Sequence, residues 1–112
     1  MRDDWLGCLE AARRGDGQVA RLAEVRPREL VVARGEITES SALPVGSSVA
    51  YRCVLSDGSG RLSLVFLGRR RVAGLEPGAR CCATGRVATY SGELVLWNPH
   101  YCIEQGRAPQ RG

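Results

Sequence analysis

The sequence predicts an all-β fold: a five-stranded antiparallel Greek-key barrel, with a short helix between the third and fourth strands and an appended N-terminal helix. Three observations predict it. Short runs of alternating apolar and polar residues recur after residue 28. Clusters of Gly, Asp, Ser and Pro, which favour turns, separate these runs. A length of 112 residues with 44% hydrophobic residues fits a single core.

Residues 1–26 have a helical pattern instead. Apolar residues recur at three- and four-residue spacing from Trp5 to Ala12, with acidic residues before them and arginines after them, which suits a helix dipole. A second short helical stretch, Val19–Val25, ends before Pro27. We expect this N-terminal extension to pack on the barrel or to bind a protein partner, including a second copy of the chain.

The first two strands are predicted on either side of a loop. Leu30–Ile37 is the first strand, and residues 39–46, which include Pro44, are expected to form the loop. Ser48–Leu55 is the second strand and alternates strictly. Its predicted inward face is Val49, Tyr51, Cys53 and Leu55, and its outward face is Ala50, Arg52 and Val54.

The third strand follows the strongest hairpin signal in the chain. Asp57–Gly60 is a turn cluster between two alternating runs. Arg61–Leu67 then forms the third strand, with inward Leu62, Leu64 and Phe66. The segment after it is expected to contain one short helical turn, Arg70–Leu75, before the turn at Pro77 and Gly78.

The last strands complete the barrel. Cys81–Tyr90 is the fourth strand, with Cys81, Ala83 and Val87 inside. Glu93–Trp97 is the fifth strand and continues past Asn98 and Pro99 to Ile103. The barrel domain is predicted over residues 27–105, and residues 106–112 are expected to form a flexible tail.

This order of strands, with its long break between the third and the fourth, is typical of the OB-fold. Four stretches resemble OB-fold nucleic-acid-binding domains, in particular the tRNA-anticodon type, the wedge domain of RecG-type helicases and small stand-alone actinobacterial OB proteins. They are Val54–Phe66, Leu75–Gly78, Gly85–Val87 and Asn98–Tyr101. The resemblance covers residues 28–104 and implies binding of single-stranded or structured DNA or RNA. It does not extend to unwinding, because no helicase motor is present in the sequence.

The charge of the chain is compatible with a polyanionic ligand. The net charge is +4, and all sixteen basic residues are arginine, a choice that a high-GC genome also explains. Alternation places Arg34, Arg52, Arg61 and Arg86 outward, and Arg69–Arg71 form the densest cluster. This cluster is either a phosphate-binding patch or a solvated turn. The candidate phosphate ligands are Arg52, Arg61, Arg69, Arg70, Arg71 and Arg86.

Few aromatic residues are available to stack on bases. Tyr90 and Trp97 point outward by alternation around the Ser91–Gly92 turn and are the candidates, with Tyr101 as a further one. Alternatively, Trp97 covers one end of the barrel or packs on the N-terminal helix. This small number of aromatic residues predicts modest affinity.

The sequence indicates neither catalysis nor a cofactor. His100 and Cys102 lie two residues apart, but no second pair has zinc-like spacing, and no nucleotide-binding or hydrolase motif is present. We therefore expect a non-enzymatic protein without metal. The five cysteines show no CxxC spacing, no apolar run is long enough to span a membrane, and no signal peptide is recognisable. The expected location is the cytoplasm.

Overall fold

The computed structural model describes residues 19–104, and this part of the chain consists mainly of strands. The strands are β1 (Leu30–Val45), β2 (Ser48–Ser56), β3 (Arg61–Leu67), β4 (Arg80–Tyr90), β5 (Glu93–Trp97) and β6 (His100–Ile103). One 3-10 helix of three residues, Leu22–Glu24, precedes them. The predicted all-β class is confirmed. Within residues 19–104 no helix has the length and apolarity needed to cross a membrane.

Five of the strands form a closed ring. The sheet order is β1-β2-β3-β5-β4-β6, and an additional pairing between β1 and β4 closes the ring. All neighbours in the ring are antiparallel except β3 and β5, which are parallel. Closure depends on β1, because its first half pairs with β4 and its second half with β2, the two pairings overlapping at Glu36. The predicted five-stranded barrel is confirmed as a barrel-like ring.

β5 and β6 lie end to end along the same edge of β4. β4 pairs Val87 with Leu96 and Cys81 with Ile103, and the register shifts by one residue between the two pairings. Asn98 lies at the break, in the left-handed region with a φ of 47°. Its side-chain oxygen accepts a hydrogen bond from the Leu67 N–H at 2.9 Å. The predicted continuation of the fifth strand is therefore confirmed, with a bulge-like interruption.

The inward faces of the strands form one apolar core. The predicted alternation holds for β2, β3 and β4, because nearly all the side chains expected inside are buried in this core: Tyr51, Cys53, Leu55, Leu62, Leu64, Phe66, Cys81, Ala83 and Val87. Val49, near the start of β2, is only half-buried. The buried Tyr51 hydroxyl donates a hydrogen bond to the Leu75 carbonyl and so remains satisfied.

The expected loop over residues 39–46 is wrong, because β1 continues through it to Val45. Each residue from Glu39 to Val45 has a partner in β2, after a register shift between Ile37 and Glu39. The segment extends beyond the core, and most of its side chains are exposed. Without a buried face it shows no apolar alternation, and its polar residues and Pro44 resemble a loop in the sequence. The true turn is Gly46 and Ser47.

The expected helix over Arg70–Leu75 is also wrong. Residues 68–79 contain only turns and bends, and three of their glycines have positive φ: Gly68, Gly74 and Gly78. Val72 and Leu75 are buried in the barrel core, at 2% and 0% exposed. Two side chains three residues apart therefore reach the core from an irregular segment instead of from a helix.

The predicted N-terminal helix from Trp5 to Ala12 and the predicted tail over residues 106–112 lie outside the described residues. Of the second helical stretch, Val19–Val25, only Leu22–Glu24 is helical, as one 3-10 turn. Leu22 and Val25 are buried in the barrel core, so this part of the extension packs on the domain.

The β2–β3 turn holds this N-terminal segment in place. The Asp57 carboxylate accepts a hydrogen bond from the Leu22 N–H at 2.9 Å, and others from the N–H groups of Ser59 and Gly60 at 2.8 and 3.1 Å. Gly60 lies so close to the segment that a Cβ there would be 2.7 Å from the Ala23 nitrogen. The β2–β3 turn, which the sequence predicts as a hairpin, is therefore also the place where the N-terminal segment packs on the barrel.

Replacing Gly60 with alanine tests this close approach. The new Cβ would lie within 3.0 Å of the backbone of Leu22 and Ala23 and would force it to shift. We therefore expect Gly60→Ala to lower the free energy of unfolding by about 1–3 kcal/mol. Gly85→Ala is the matched control, because its Cβ would lie 3.6 Å from a Leu96 side-chain atom, an ordinary contact. Urea unfolding of both variants measures the effect, and equal midpoints would contradict the docking contact.

Acid titration tests the Asp57 hydrogen bonds. Partial burial alone would raise the pKa of this carboxyl, but the donors from Leu22, Ser59 and Gly60 outweigh it and lower the pKa to about 2 from 3.8. At pH values between these two pKa values, the unfolded chain therefore binds more protons than the folded chain. The stabilisation is complete above about pH 4 and disappears towards about pH 2, with a size of about 1–2 kcal/mol.

Asp57→Asn keeps an acceptor oxygen but does not titrate. We expect its free energy of unfolding, measured with urea at successive pH values, to fall less steeply than that of the wild type across this interval. Parallel curves for the two proteins would show that Asp57 contributes nothing to the acid dependence.

Candidate functional site

Outward-facing side chains of four strands form cross-strand rows on one side of the barrel. In the first row, Arg52 of β2 lies beside Val65 of β3, and Val65 lies beside Trp97 of β5. The pairing of β4 with β5 ends at Val87 and Leu96, and continuing this register by one pair sets Arg86 opposite Trp97. The second row consists of Val54, Ser63, Val95 and Ala88. We call the surface formed by these two rows the outer face.

A groove of about 160 Å³ crosses the outer face. Val65 and Val95 line its buried floor, at 4% and 2% exposed. Val45, next to the β1–β2 turn, and Ser91, in the β4–β5 turn, contribute to its walls, together with Tyr90. We refer to this concavity as the outer-face groove.

Tyr90 and Trp97 form an aromatic pair in the groove. Their ring centroids are 5.2 Å apart and their planes are inclined at 77°, an edge-to-face arrangement. Tyr90 is 43% exposed, and Trp97 is half-buried against the apolar layer of the outer face. Both residues lie on the side that alternation predicts. Tyr101 lies elsewhere, because it pairs with Ala83 and its ring meets the core residue Phe66 edge to face.

Arg52 is the predicted phosphate ligand that lines the groove, and its charge is compensated. The Glu93 carboxylate accepts hydrogen bonds from Arg52 Nη2 at 2.9 Å and from the Ser63 hydroxyl at 3.0 Å. The bond from Arg52 lowers the pKa of the Glu93 carboxyl below its usual value, so that the carboxylate remains ionised. This ion pair joins β2 to β5 across β3.

Two further predicted arginines are also paired. Arg61 lies 3.7 Å from the carboxylate of Glu39, which belongs to the part of β1 that the sequence suggests as a loop. Arg71 lies 2.9 Å from the carboxylate of Glu76. These side chains are largely exposed, and such surface pairs contribute little to stability. Each pair nevertheless reduces the positive potential available to a ligand.

The remaining predicted arginines lie outside the groove. Arg86 donates a hydrogen bond to the Arg28 carbonyl at 2.8 Å, which draws its guanidinium towards the β1 side of β4. Arg69 and Arg70 are exposed in the connection that follows β3, and neither forms an ion pair within residues 19–104. The structure thus brings Arg52, Tyr90 and Trp97 together in the groove, whereas Arg86 lies outside its lining and Arg69–Arg71 lie beyond the end of β3.

Glu93 is a residue of the groove that the sequence does not predict as a ligand contact; the sequence indicates it, with Glu36, only as a carboxylate able to neutralise the arginines. Its separation from Arg52 is 41 residues, so no local pattern connects them. The alternation of β5 places Glu93 on the same face as Val95 and Trp97, and this is the signal that identifies it. Val45 was missed for a different reason, because its segment was expected to be a loop.

A larger cleft, of about 750 Å³, opens near the start of the described chain. Its lining includes Val19, the first described residue, together with Arg34 and Arg80. The guanidinium of Arg34 forms an ion pair with Glu104 at 2.6 Å. The lining of the outer-face groove, in contrast, consists of residues of five strands and of the β4–β5 turn.

Cys53, Cys81 and Cys82 are buried free thiols. Burial raises the pKa of Cys53 and Cys81 to about 12, so neither thiol ionises near neutral pH. His100 and Cys102 lie on β6, opposite Thr84 and Cys82. Within residues 19–104 no group of three or more His, Cys, Asp and Glu side chains is arranged to hold a metal ion.

Comparison with known proteins shows a fold and no family. No family model matches the chain, and no curated protein matches it. The structure of RecG bound to a three-way DNA junction is similar, with a TM-score of 0.66 and 21% identity, over 80% of this chain and 13% of that chain. A structure described as "Structural mimicry for functional antagonism" is similar with a TM-score of 0.54 and 10% identity, over 80% of this chain and 46% of that one. At these identities the likeness shows the fold alone.

Proposed function

We propose that this chain is a non-enzymatic OB-fold domain that binds nucleic acid in the outer-face groove. In this proposal one or two bases stack on Tyr90 and Trp97. Phosphates contact the arginines at the two ends of the outer face: Arg86 at one end, and Arg69 and Arg70 at the other.

The aromatic pair carries the proposal. Aromatic side chains are the usual stacking surfaces of single-strand binders, since every base offers a π-face. Tyr90 has 43% of its surface exposed, and the groove gives a base access to the pair. In this proposal the phosphate of a stacked base extends towards Arg86, which the register of β4 and β5, continued by one pair, sets opposite Trp97.

The fold likeness supports the same proposal. A part of RecG, a protein whose structure is bound to a three-way DNA junction, has the same fold as most of this chain. This chain spans 13% of that protein, so the proposal concerns binding alone and assigns no motor activity.

The proposal assigns no reaction to the groove. Its acidic residue, Glu93, is engaged by Arg52 and Ser63 and so serves as a fixed charge, without the poised proton that acid–base catalysis requires. The few aromatic residues and the paired arginines together favour modest affinity.

Titration of a fluorescently labelled single-stranded oligonucleotide, followed by anisotropy, tests the binding function. Two to four phosphate contacts give a slope of about −1.4 to −2.8 in a plot of log affinity against log salt. The affinity should therefore fall roughly 7- to 50-fold between about 50 and about 200 mM salt. Absence of binding at the lower salt concentration, or binding without salt dependence, would exclude the proposed function.

Removal of the stacking surfaces tests the site. We expect Trp97→Ala and Tyr90→Ala each to weaken binding by about 1–3 kcal/mol, or about 5- to 150-fold, because each loses a base contact. Tyr101→Leu is the matched control, since this aromatic residue is also exposed but contacts Phe66 away from the groove. Thermal unfolding confirms that each variant is folded. Equal affinities for all three variants and the wild type would place the ligand elsewhere.

A further inference from the structure

A fixed negative charge lies inside the outer-face groove. The Glu93 side chain is 47% exposed, so an incoming ligand meets it directly. Its carboxylate is held on one side by Arg52 and on the other by the Ser63 hydroxyl, at 2.9 and 3.0 Å. Because the donors belong to β2 and β3, two strands of the same barrel, the carboxylate has a defined position.

This charge opposes a phosphate in the groove. Arg52 is the basic residue among the described residues that line the groove, and Glu93 already compensates it. A phosphate placed there would have to displace the carboxylate from Arg52 or lie beside a like charge. A base is uncharged and meets no such repulsion.

The predicted arginines without a carboxylate partner among residues 19–104 lie outside the groove. The Arg86 guanidinium bonds to the Arg28 carbonyl on the β1 side of β4, and Arg69 follows the end of β3. The resulting charge distribution has no uncompensated arginine in the lining of the groove. A ligand that fits it turns its bases into the groove and keeps its phosphates outside.

Single-stranded and duplex nucleic acids differ in whether they present bases or phosphates to a protein. A single strand turns unstacked bases towards a protein, whereas a duplex keeps its bases paired inside and presents phosphates. We propose that Glu93 is a specificity-determining residue that makes the groove favour single-stranded nucleic acid by excluding the duplex backbone. This inference rests on the proposed function.

Two variants that break the same ion pair in opposite ways test the inference. Glu93→Gln removes the negative charge and leaves Arg52 available to a phosphate, whereas Arg52→Gln leaves the carboxylate in place. Glu76→Gln is the matched control, because it removes the same charge and releases Arg71 outside the groove. The ligands are a labelled single strand of about 12 nucleotides and a hairpin duplex with a stem of similar length.

We expect the wild type to prefer the single strand and Glu93→Gln to lose much of this preference. Duplex affinity should rise about 5-fold or more in Glu93→Gln, the effect of removing one like charge about 4 Å away in water-like surroundings. Single-strand affinity should change by less than about 2-fold, since the bases make the contacts in the groove. Arg52→Gln should keep or increase the preference, and Glu76→Gln should leave the ratio of the two affinities unchanged.

The outcomes separate this inference from the proposed function. If Glu93→Gln raises both affinities equally, or if Arg52→Gln loses the preference as Glu93→Gln does, Glu93 has no selective role although the chain still binds nucleic acid. If the folded wild type binds neither ligand at low salt, the proposed function itself is wrong. Far-UV circular dichroism establishes that each variant is folded.

Discussion

The closure of the ring by β1 is the constraint on which the rest of the structure depends. β1 leaves its partner β4 and continues along β2 at Glu36, which pairs with both strands. This change of partner requires Gly35, because a Cβ there would lie 2.2 Å from the Ser56 carbonyl oxygen. Once β1 is fixed, the registers of the other strands follow from their inward apolar faces. These registers in turn place Arg52, Trp97 and Arg86 in one row.

Sequence reasoning succeeds where a single buried face controls the pattern. β3 and β5 were predicted with their exact bounds, and the Asp57–Gly60 turn lies where expected, because strands with one face in the core must alternate. It fails where that control is missing. The distal part of β1 has no fully buried side chain, and residues 68–79 place buried side chains in the core without regular structure. The Tyr90–Trp97 pair was predictable from alternation, but its spacing depends on β4 and β5 in three dimensions.

The electrostatics of the site show why composition alone is insufficient. A surplus of arginine predicts a continuous positive surface only if carboxylates are distributed independently of the arginines. Here Glu93, Glu39 and Glu76 lie beside three of the six candidate arginines. Two of these pairs join separate strands, so the compensation appears only after the barrel has formed. The net charge of +4 therefore says little about any particular surface.

The outer face has a buried apolar layer of its own, distinct from the barrel core. Ala50, Val65 and Val95 form it, and Trp97 packs against it. A binding surface that needed only charge would have no use for such a layer, since arginines can be presented from exposed positions. The apolar layer instead supports Trp97 and fixes its ring relative to Tyr90. The same layer offers a charged ligand no polar group to replace its water. The arrangement of the outer face therefore suits the proposed stacking of bases better than the binding of a charged group.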